Sequence, residues 1–423
     1  MCVVWIAGHA QLYFPPTGTD VWETTDPSSL GWCTDQLPPL LDLLEQNNTK
    51  AFLVLKDGRI VIEHYYGTFT QDSAWYWASA GKSLTAFLVG LAQQEGSLDI
   101  DDPTSDHLGL GWTALTPEQE QAITIRHQLT MTTGLDDGVS DLDCTDPACL
   151  QYLAEPGSRW SYHNAPYTLL DGVISAATGV SLNSFVFTRL TQPTGVNGLY
   201  LPVGYNNVFF STPRSMARFG LLMQADGVWN GTTIMNDQAY FNDMISTSQP
   251  LNEAYGYLWW LNGTSTYMMP QTQFVFTGPA LPDAPPDTYM ALGKNGQILN
   301  LVPSLGLIIV RMGNIPGTPV FVPNVFNNDI WRGLNAVLCT NTAVSSTADT
   351  DSSLEIRFDP DHQQLHITST SEQEIRIHDN SGRTIMTRRI GRGNNVLDVH
   401  SLAAGIHVIR RTSTSESFRF MNP

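Results

Sequence analysis

Apolar residues at Leu40, Leu41, Leu43 and Leu44 follow a polar entry and predict a helix in the stretch from Trp22 to Glu45. From Ala51 to Tyr66 the pattern changes to FLVL, a turn at Lys56-Asp57-Gly58, and IVIEHYY, which predicts a hairpin. Helical spacing returns between Trp75 and Gly96: Leu84, Phe87, Leu88 and Leu91 share a face and Gly96 stops it. ITIRHQLTMTTG, Ile123 to Gly134, reads as a short helix closed by glycine. Asn164 to Gly179 is helical, with Tyr167, Leu170, Val173 and Ala176 or Ala177 on one face. A further helix runs from Thr212 to Gly227 through Met216, Phe219, Leu221 and Leu222. Strand-like runs follow at 255–263, 288–303 and 306–314, then a closing helix from Asn328 to Leu338. Helices in the middle with strands at both ends predict an α/β fold whose first strands meet its last.

The pattern breaks at 340–353, where 8 of 14 residues are Ser or Thr, which reads as a linker. Beyond it seven short alternating segments (LEIRF, QLHITS, EIRIHD, TIMTRRI, NVLDV, GIHVIR, SFRF) predict a small β-sandwich over 354–423. The main domain is then 11–339.

A chain of 423 residues with 42% hydrophobic content is large enough for such a core. Its net charge of −19 argues against nucleic acid and anionic membrane as partners. From Leu354 onward 9 Arg face 8 acids, so the acidity belongs to the first 353 residues. No run reaches the ~18 apolar residues of a membrane span. Val3 to Ala7, followed by Gly8-His9-Ala10, reads as the remnant of a secretory signal over 1–10, cut after Ala10. Cys2 would leave with it. Cys144 and Cys149 can close a small loop, and Cys33 and Cys339 can staple the ends of the main domain; four free thiols are the alternative. No Cys-x-x-Cys suggests zinc. Asp136, Asp137, Asp141, Asp143 and Asp146 lack EF-hand spacing and read as a solvated loop. No metal or cofactor is expected.

The chain holds four lysines, Lys50, Lys56, Lys82 and Lys294, so Ser79–Lys82 is its only Ser-x-x-Lys. Residues three apart share a helix face, which sets an amine beside a hydroxyl at the positive end of a helix. A serine hydroxyl becomes a nucleophile when a base takes its proton, and a lysine serves if burial and positive neighbours depress its pKa. A tyrosine can be a second proton carrier. Tyr-x-Asn occurs at Tyr162–Asn164, Tyr205–Asn207 and Tyr240–Asn242; the first, just before a helix, is preferred. Lys294 in GKNGQ lies near two glycines on a predicted strand, where backbone can approach a substrate; a surface lysine is the alternative. Trp75, Trp77, Trp259 and Trp260 read as core rather than as pocket lining.

Ser79-Ala-Gly-Lys82, Tyr162-His-Asn164 and Lys294-Asn-Gly296 resemble, in order, the Ser-x-x-Lys, Tyr-x-Asn and Lys-Thr-Gly elements of the serine β-lactamase and penicillin-binding-protein superfamily. ITIRHQLTMTTGL (123–135) and SMARFGLLM (215–223) are similar to further segments of its class C-like branch, which includes esterases, D-amino-peptidases and 6-aminohexanoate-dimer hydrolases. The resemblance covers roughly 35–339. It implies a β-lactamase/transpeptidase-like antiparallel sheet flanked by helices, with a helical subdomain. It also implies Ser79 as acylated nucleophile, Lys82 as base and Tyr162 as proton shuttle. Asn164 would orient Lys82 and the substrate amide. Lys294 would hold down the tyrosine's pKa and meet a substrate carboxylate. Gly296 and Gln297 would line the substrate, with the N–H groups of Ser79 and Gln297 as oxyanion hole. Asn295 stands where that family has Thr or Ser, which counts against carboxylate recognition and the β-lactam reading. His163, between two motif residues, is expected to point away as a structural residue.

The tail resembles the C-terminal sorting domain of type IX secretion through Asn395, Asp398, Leu402 and Gly405; Asp379 and His407 depart from it. That implies bacterial export through dedicated machinery, with the tail cleaved or kept as a surface anchor; a binding module is the structural alternative. The sequence therefore reads as a secreted serine hydrolase cleaving a small-molecule ester or amide. A D-Ala-D-Ala-type carboxypeptidase or β-lactamase is the enzyme alternative, and a catalytically idle binding protein the non-enzyme one.

Overall fold

The computed structural model describes residues 12–317, 322–339, 354–359, 362–379, 383–402, 405–411 and 417–422. The expected signal remnant with Cys2, the linker 340–353 and the turn residues Asn380, Ser381 and Gly382 lie outside the described residues. Two compact units emerge, one of Met1–Ser265 and Pro279–Thr340, the other of Thr266–Gly278 and Asn341–Pro423. Thr266–Gly278, expected within the main domain, thus groups with the tail, where Phe274 lies 5.8 Å from His378, ring to ring.

The first unit is built on a six-stranded antiparallel sheet. Its strands are β1 (Thr49–Lys56), β2 (Arg59–Tyr65), β3 (Trp260–Leu261), β4 (Tyr289–Gly293), β5 (Gln297–Val302) and β6 (Leu307–Gly313), in the order β2-β1-β6-β5-β4-β3. The first strand therefore pairs with the last, Thr49 opposite Gly313 and Lys56 opposite Leu307. β5 and β6 are buried at every position, which is why they read as unbroken apolar runs instead of alternating ones. Helix α1 (Leu37–Gln46) packs on β1 and on the closing helix, and Cys33 is disulfide-bonded to Cys339 beyond it.

Helix α2 (Gly81–Gln94) is buried continuously from Gly81 to Ala92, so it is a core helix rather than one with a single buried face. ITIRHQLTMTTG yields only α3 (Ile125–Leu129), begun by a Thr124 capping box; it ends at Thr130, well before Gly134. The predicted helix at 164–179 forms as α4 (Asn164–Thr168) and α5 (Leu170–Thr178), the latter packed on α2. α6 (Pro213–Gln224) lies close on the sheet: a Cβ at Gly220 would come within 2.7 Å of Ile308 and 2.9 Å of Leu299. The closing helix, α7, spans Asn324–Val337, one turn earlier than its apolar pattern indicates. Among the described residues no single helix is long and apolar enough to cross a membrane.

Two strand expectations change. Within 255–263 only Trp260–Leu261 is strand. The run 288–303 is a hairpin, because Asn295 (φ 62°) and Gly296 (φ 75°) reverse the chain between β4 and β5. Lys294 thus sits in a turn, not on a strand. The hairpin Leu199–Ser211 and the helix Gln238–Met244 carry weaker patterns and escape a sequence reading.

The tail forms the seven strands its alternation predicts: β7 (Leu354–Asp359), β8 (Gln364–Ser369), β9 (Gln373–His378), β10 (Thr384–Ile390), β11 (Gly393–Asp398), β12 (Gly405–Arg411) and β13 (Ser417–Asn422). They make two sheets, β7-β8-β11 and β10-β9-β12-β13. Leu365, Ile367, Ile375, Ile377, Ile390, Val399 and Ile409 form one buried cluster, the period-two core of a sandwich.

Candidate active site

Ser79 sits in a one-turn 3-10 segment, Ala78–Ala80, that feeds α2. The preceding Ala78 adopts φ 47°, a conformation that costs an L-residue energy and needs support from its surroundings. Trp77 supplies it: fully buried, it donates from Nε1 to Ser211 Oγ at 2.7 Å and from its backbone N–H to Phe209 O at 2.8 Å. From the other side, β4 ends at Gly293. A Cβ there would lie 2.4 Å from Trp77 O and 3.1 Å from Ser79 N, so only glycine admits the hairpin this close to Ser79.

Lys82, one turn along α2, is 3% exposed and donates from Nζ to Ser79 Oγ at 3.2 Å. Its amine lies 4.0 Å from the ring centre of Tyr167 and 5.2 Å from that of Tyr162. Burial lowers its pKa to about 7; Asp143 and Asp171 oppose the shift and Lys294 adds to it.

Tyr162 precedes α4 and is buried beside the pair. Trp260 stacks on its ring at 5.7 Å, and the rings of Trp160 and Tyr255 flank it. Burial pushes the phenol well above its ordinary value, and nearby Ser79 offsets part of that. This departs from the expectation that Lys294 holds the tyrosine down; the charge of the exposed Lys294 acts on Lys82 instead. Of the four tryptophans, Trp77 and Trp259 are core, Trp75 is half-buried, and Trp260 lies against the candidate site.

Asn164 opens α4, and its Nδ2 donates to Asp143 Oδ1 at 2.7 Å. Its Oδ1 is screened from solvent and has no partner among the described residues. His163 is buried on the side of Asp136, Asp137 and Arg159, and burial lowers its pKa to about 4, consistent with a structural residue. The other Tyr-x-Asn pairs lie elsewhere: Tyr205 donates to Asp146 Oδ2 at 2.7 Å, Tyr240 to Ala86 O at 2.6 Å.

The turn after Gly293 is held from behind. Asn295 donates to Tyr76 OH at 2.7 Å. Gln297 is buried; its Nε2 donates to Gly313 O at 2.7 Å and its Oε1 accepts from Gly313 N at 3.1 Å. The carbonyls of Asn295 and Gly296 accept from Arg311 Nη1 at 2.7 and 2.9 Å. Ser79, Lys82, Tyr162 and the end of the Lys294 hairpin thus converge, with Asn164 joined to the group through Asp143.

Over residues 42–326 the chain matches the family model described as Beta-lactamase. The chain belongs to the beta-lactamase family. An uncharacterised protein of Alkalihalophilus pseudofirmus is 25% identical over 66% of this chain and 87% of its own length. A 6-aminohexanoate-dimer hydrolase of Paenarthrobacter ureafaciens is 21% identical over 66% of this chain and 76% of its own. The octameric penicillin-binding protein homologue from Pyrococcus abyssi, a solved structure, shares the fold, with a TM-score of 0.55 and 14% identity over 91% of this chain and 95% of that one. Residues 359–419 match a secretion system C-terminal sorting domain. This beta-lactamase-family protein is therefore a type IX secretion client, secreted or held at the cell surface.

Three residues of the candidate site escape a sequence reading. Arg311 is the lone charge in GLIIVRMGN, and a charge inside an apolar strand was its signal. Asp171, four residues after Tyr167, interrupts the apolar face of its helix; burial raises its carboxyl to about 7, opposed by Asn207 and Lys82. Asp143 is hidden among the other acids of its loop.

Proposed function

We propose that this beta-lactamase-family protein is a secreted serine hydrolase that cleaves an ester or amide through an acyl-enzyme on Ser79. The observation that carries the reading is the Lys82 Nζ–Ser79 Oγ contact of 3.2 Å, made by a buried amine whose pKa falls to about 7. A neutral amine at that distance can accept the hydroxyl proton.

In this reading Ser79 Oγ attacks the carbonyl carbon as its proton passes to Lys82. The C–O bond forms, the carbonyl π pair moves onto oxygen, and backbone N–H groups of Ser79 and Gln297 receive the oxyanion. Collapse breaks the bond to the leaving alcohol or amine. Tyr162, held as a phenol by burial, gives that group its proton and takes the one on Lys82. Water then attacks the acyl carbon. Its proton returns through Tyr162 and Lys82 to Ser79 Oγ as the acid departs. The relative named as a 6-aminohexanoate-dimer hydrolase supports hydrolysis as the reaction class. Carboxypeptidase or β-lactamase action is less supported, because the Asn295 amide is engaged by Tyr76. The idle-protein reading has against it that Ser79, Lys82 and Tyr162 converge.

The test is labelling with a fluorophosphonate and with a fluorescent penicillin. We expect a fluorophosphonate adduct on Ser79, absent in Ser79→Ala, and little penicillin labelling. A folded protein that takes neither label at Ser79 overturns the reading.

A further inference from the structure

The segment Thr266–Gly278 lies inside the stretch 42–326 that matches the beta-lactamase family model, yet it groups with the sorting tail and not with the unit that surrounds it in sequence. It leaves that first unit through a closed root. Just before it, Ser265 Oγ donates to Glu253 Oε2 at 2.7 Å. Asn262 and Leu281, both buried, join the two sides of the root: Asn262 Nδ2 donates to Leu281 O at 3.0 Å, and Leu281 N donates to Asn262 Oδ1 at 2.9 Å.

Beyond the root the chain forms a small hairpin, with Thr266 opposite Thr277 and Tyr267 opposite Phe276. Two short strands do not hold together alone in water; such a piece needs an apolar face packed on something else. Met268, Met269, Phe274 and Phe276 supply that face, each at most 8% exposed. Phe276 stacks on Tyr267 at 5.1 Å and meets Phe274 edge-on at 4.6 Å. Phe274 carries the ring contacts on to the tail. Its centre lies 5.8 Å from that of His378, at the end of β9, within the range in which rings attract. His378 is held in turn by neighbouring β10, where Thr384 Oγ1 is 3.2 Å from its Nδ1.

We infer that the hairpin Thr266–Gly278 is a built-in seat for the chain's own sorting tail, so that a tail severed from the chain between 340 and 353 stays bound to the beta-lactamase-family domain. Cutting the linker then does not by itself free that domain from whatever holds the tail. The inference is independent of what Ser79 attacks.

The experiment places a specific protease site within 340–353 of the full-length protein and cuts it to completion. Size-exclusion chromatography over a dilution series then measures how much of 354–423 travels with the rest. We expect the cut wild type to elute as one species. In Phe274→Ala the concentration at which half of the tail is released should rise about a hundredfold, the usual cost of deleting a buried aromatic ring. Replacing 266–278 by a short Gly-Ser link, with the Asn262–Leu281 root kept, should release the tail altogether. Thermal unfolding of each variant checks that the main domain keeps its transition. Should the link variant not fold, Phe274→Ala and His378→Ala, one on each side of the ring contact, carry the test with the same direction of change. A wild-type tail that elutes apart after the cut, or a tail retained equally in every folded variant, overturns the inference.

Discussion

Arg311 holds the turn that carries Gly296: from within β6 its Nη1 donates to the Gly296 carbonyl at 2.9 Å. Its other donors reach Asn295 O, Thr49 Oγ1, Asn47 O and Asn314 O. One fully buried guanidinium thereby joins β1, β6 and the Lys294–Gly296 turn, with its pKa lowered by burial to about 9. A lysine has no planar fork for these acceptors. Arg311→Lys should strand several buried carbonyls at about 1–3 kcal/mol each. We expect a lower melting temperature and a larger fall in kcat/KM than in binding of a substrate-sized competitor, measured by thermal unfolding and ester kinetics. Unchanged melting and activity would show that the turn holds itself.

The acidic limb of the rate profile should report Lys82. With its pKa lowered to about 7, the amine becomes a base as pH rises through neutrality, so kcat/KM should climb there. A carboxylate favours the charged amine. In Asp171→Asn that support is gone, the Lys82 pKa falls further, and the limb should move to lower pH.

Asp171→Asn also makes a stability prediction. A carboxyl whose pKa rises on folding contributes stability that is complete below its unfolded value and lost as pH passes its folded value, here about 7. At pH 8.5 the wild type holds a buried carboxylate beside a largely neutral Lys82. The variant should therefore melt at a higher temperature than wild type at pH 8.5, and by a smaller margin at pH 5. A variant that melts lower at pH 8.5 would show that the carboxylate has a partner of real worth.

Tyr162→Phe should separate chemistry from packing. Among the described residues the Tyr162 hydroxyl has only Ser79 near it and makes no well-formed hydrogen bond, so its removal orphans little, and the stacked Trp260 contact survives. We expect turnover to fall by about 10²–10⁴ with little change in melting temperature. Tyr205→Phe, at the exposed Tyr205–Asp146 contact, should leave turnover unchanged. The opposite pattern would mean that the other Tyr-x-Asn carries the proton.

The sorting tail predicts a division of labour. Deleting residues 354–423 should abolish export from a host with type IX machinery, while activity in cell extracts persists. Export that continues would assign the address elsewhere in the chain.

How much of this could be read from the sequence follows from how local each signal is. The Ser79–Lys82 pair was legible because lysine is scarce and the spacing lies within one helical turn. The seven tail strands were legible because each alternates with period two over a few residues. The Lys294 turn was missed because apolar residues continue on both sides, and the reversal depends on two positive φ angles at Asn295 and Gly296. Arg311 was missed because its partners include Asn47, 264 positions away. Asp143 looked like its acidic neighbours because only the folded loop brings it to Asn164. Trp260 is buried, as its reading as core expects, and it is also the ring that Tyr162 stacks on.

Acylation of Ser79 can be trapped by acid-quenching the protein during turnover of a p-nitrophenyl ester and mapping the peptides by mass spectrometry. An acyl group is expected on the peptide at Ser79, enriched in Tyr162→Phe and missing from Ser79→Ala, which should also be inactive. Full hydrolysis by Ser79→Ala, or an acyl group found on another residue, would contradict it.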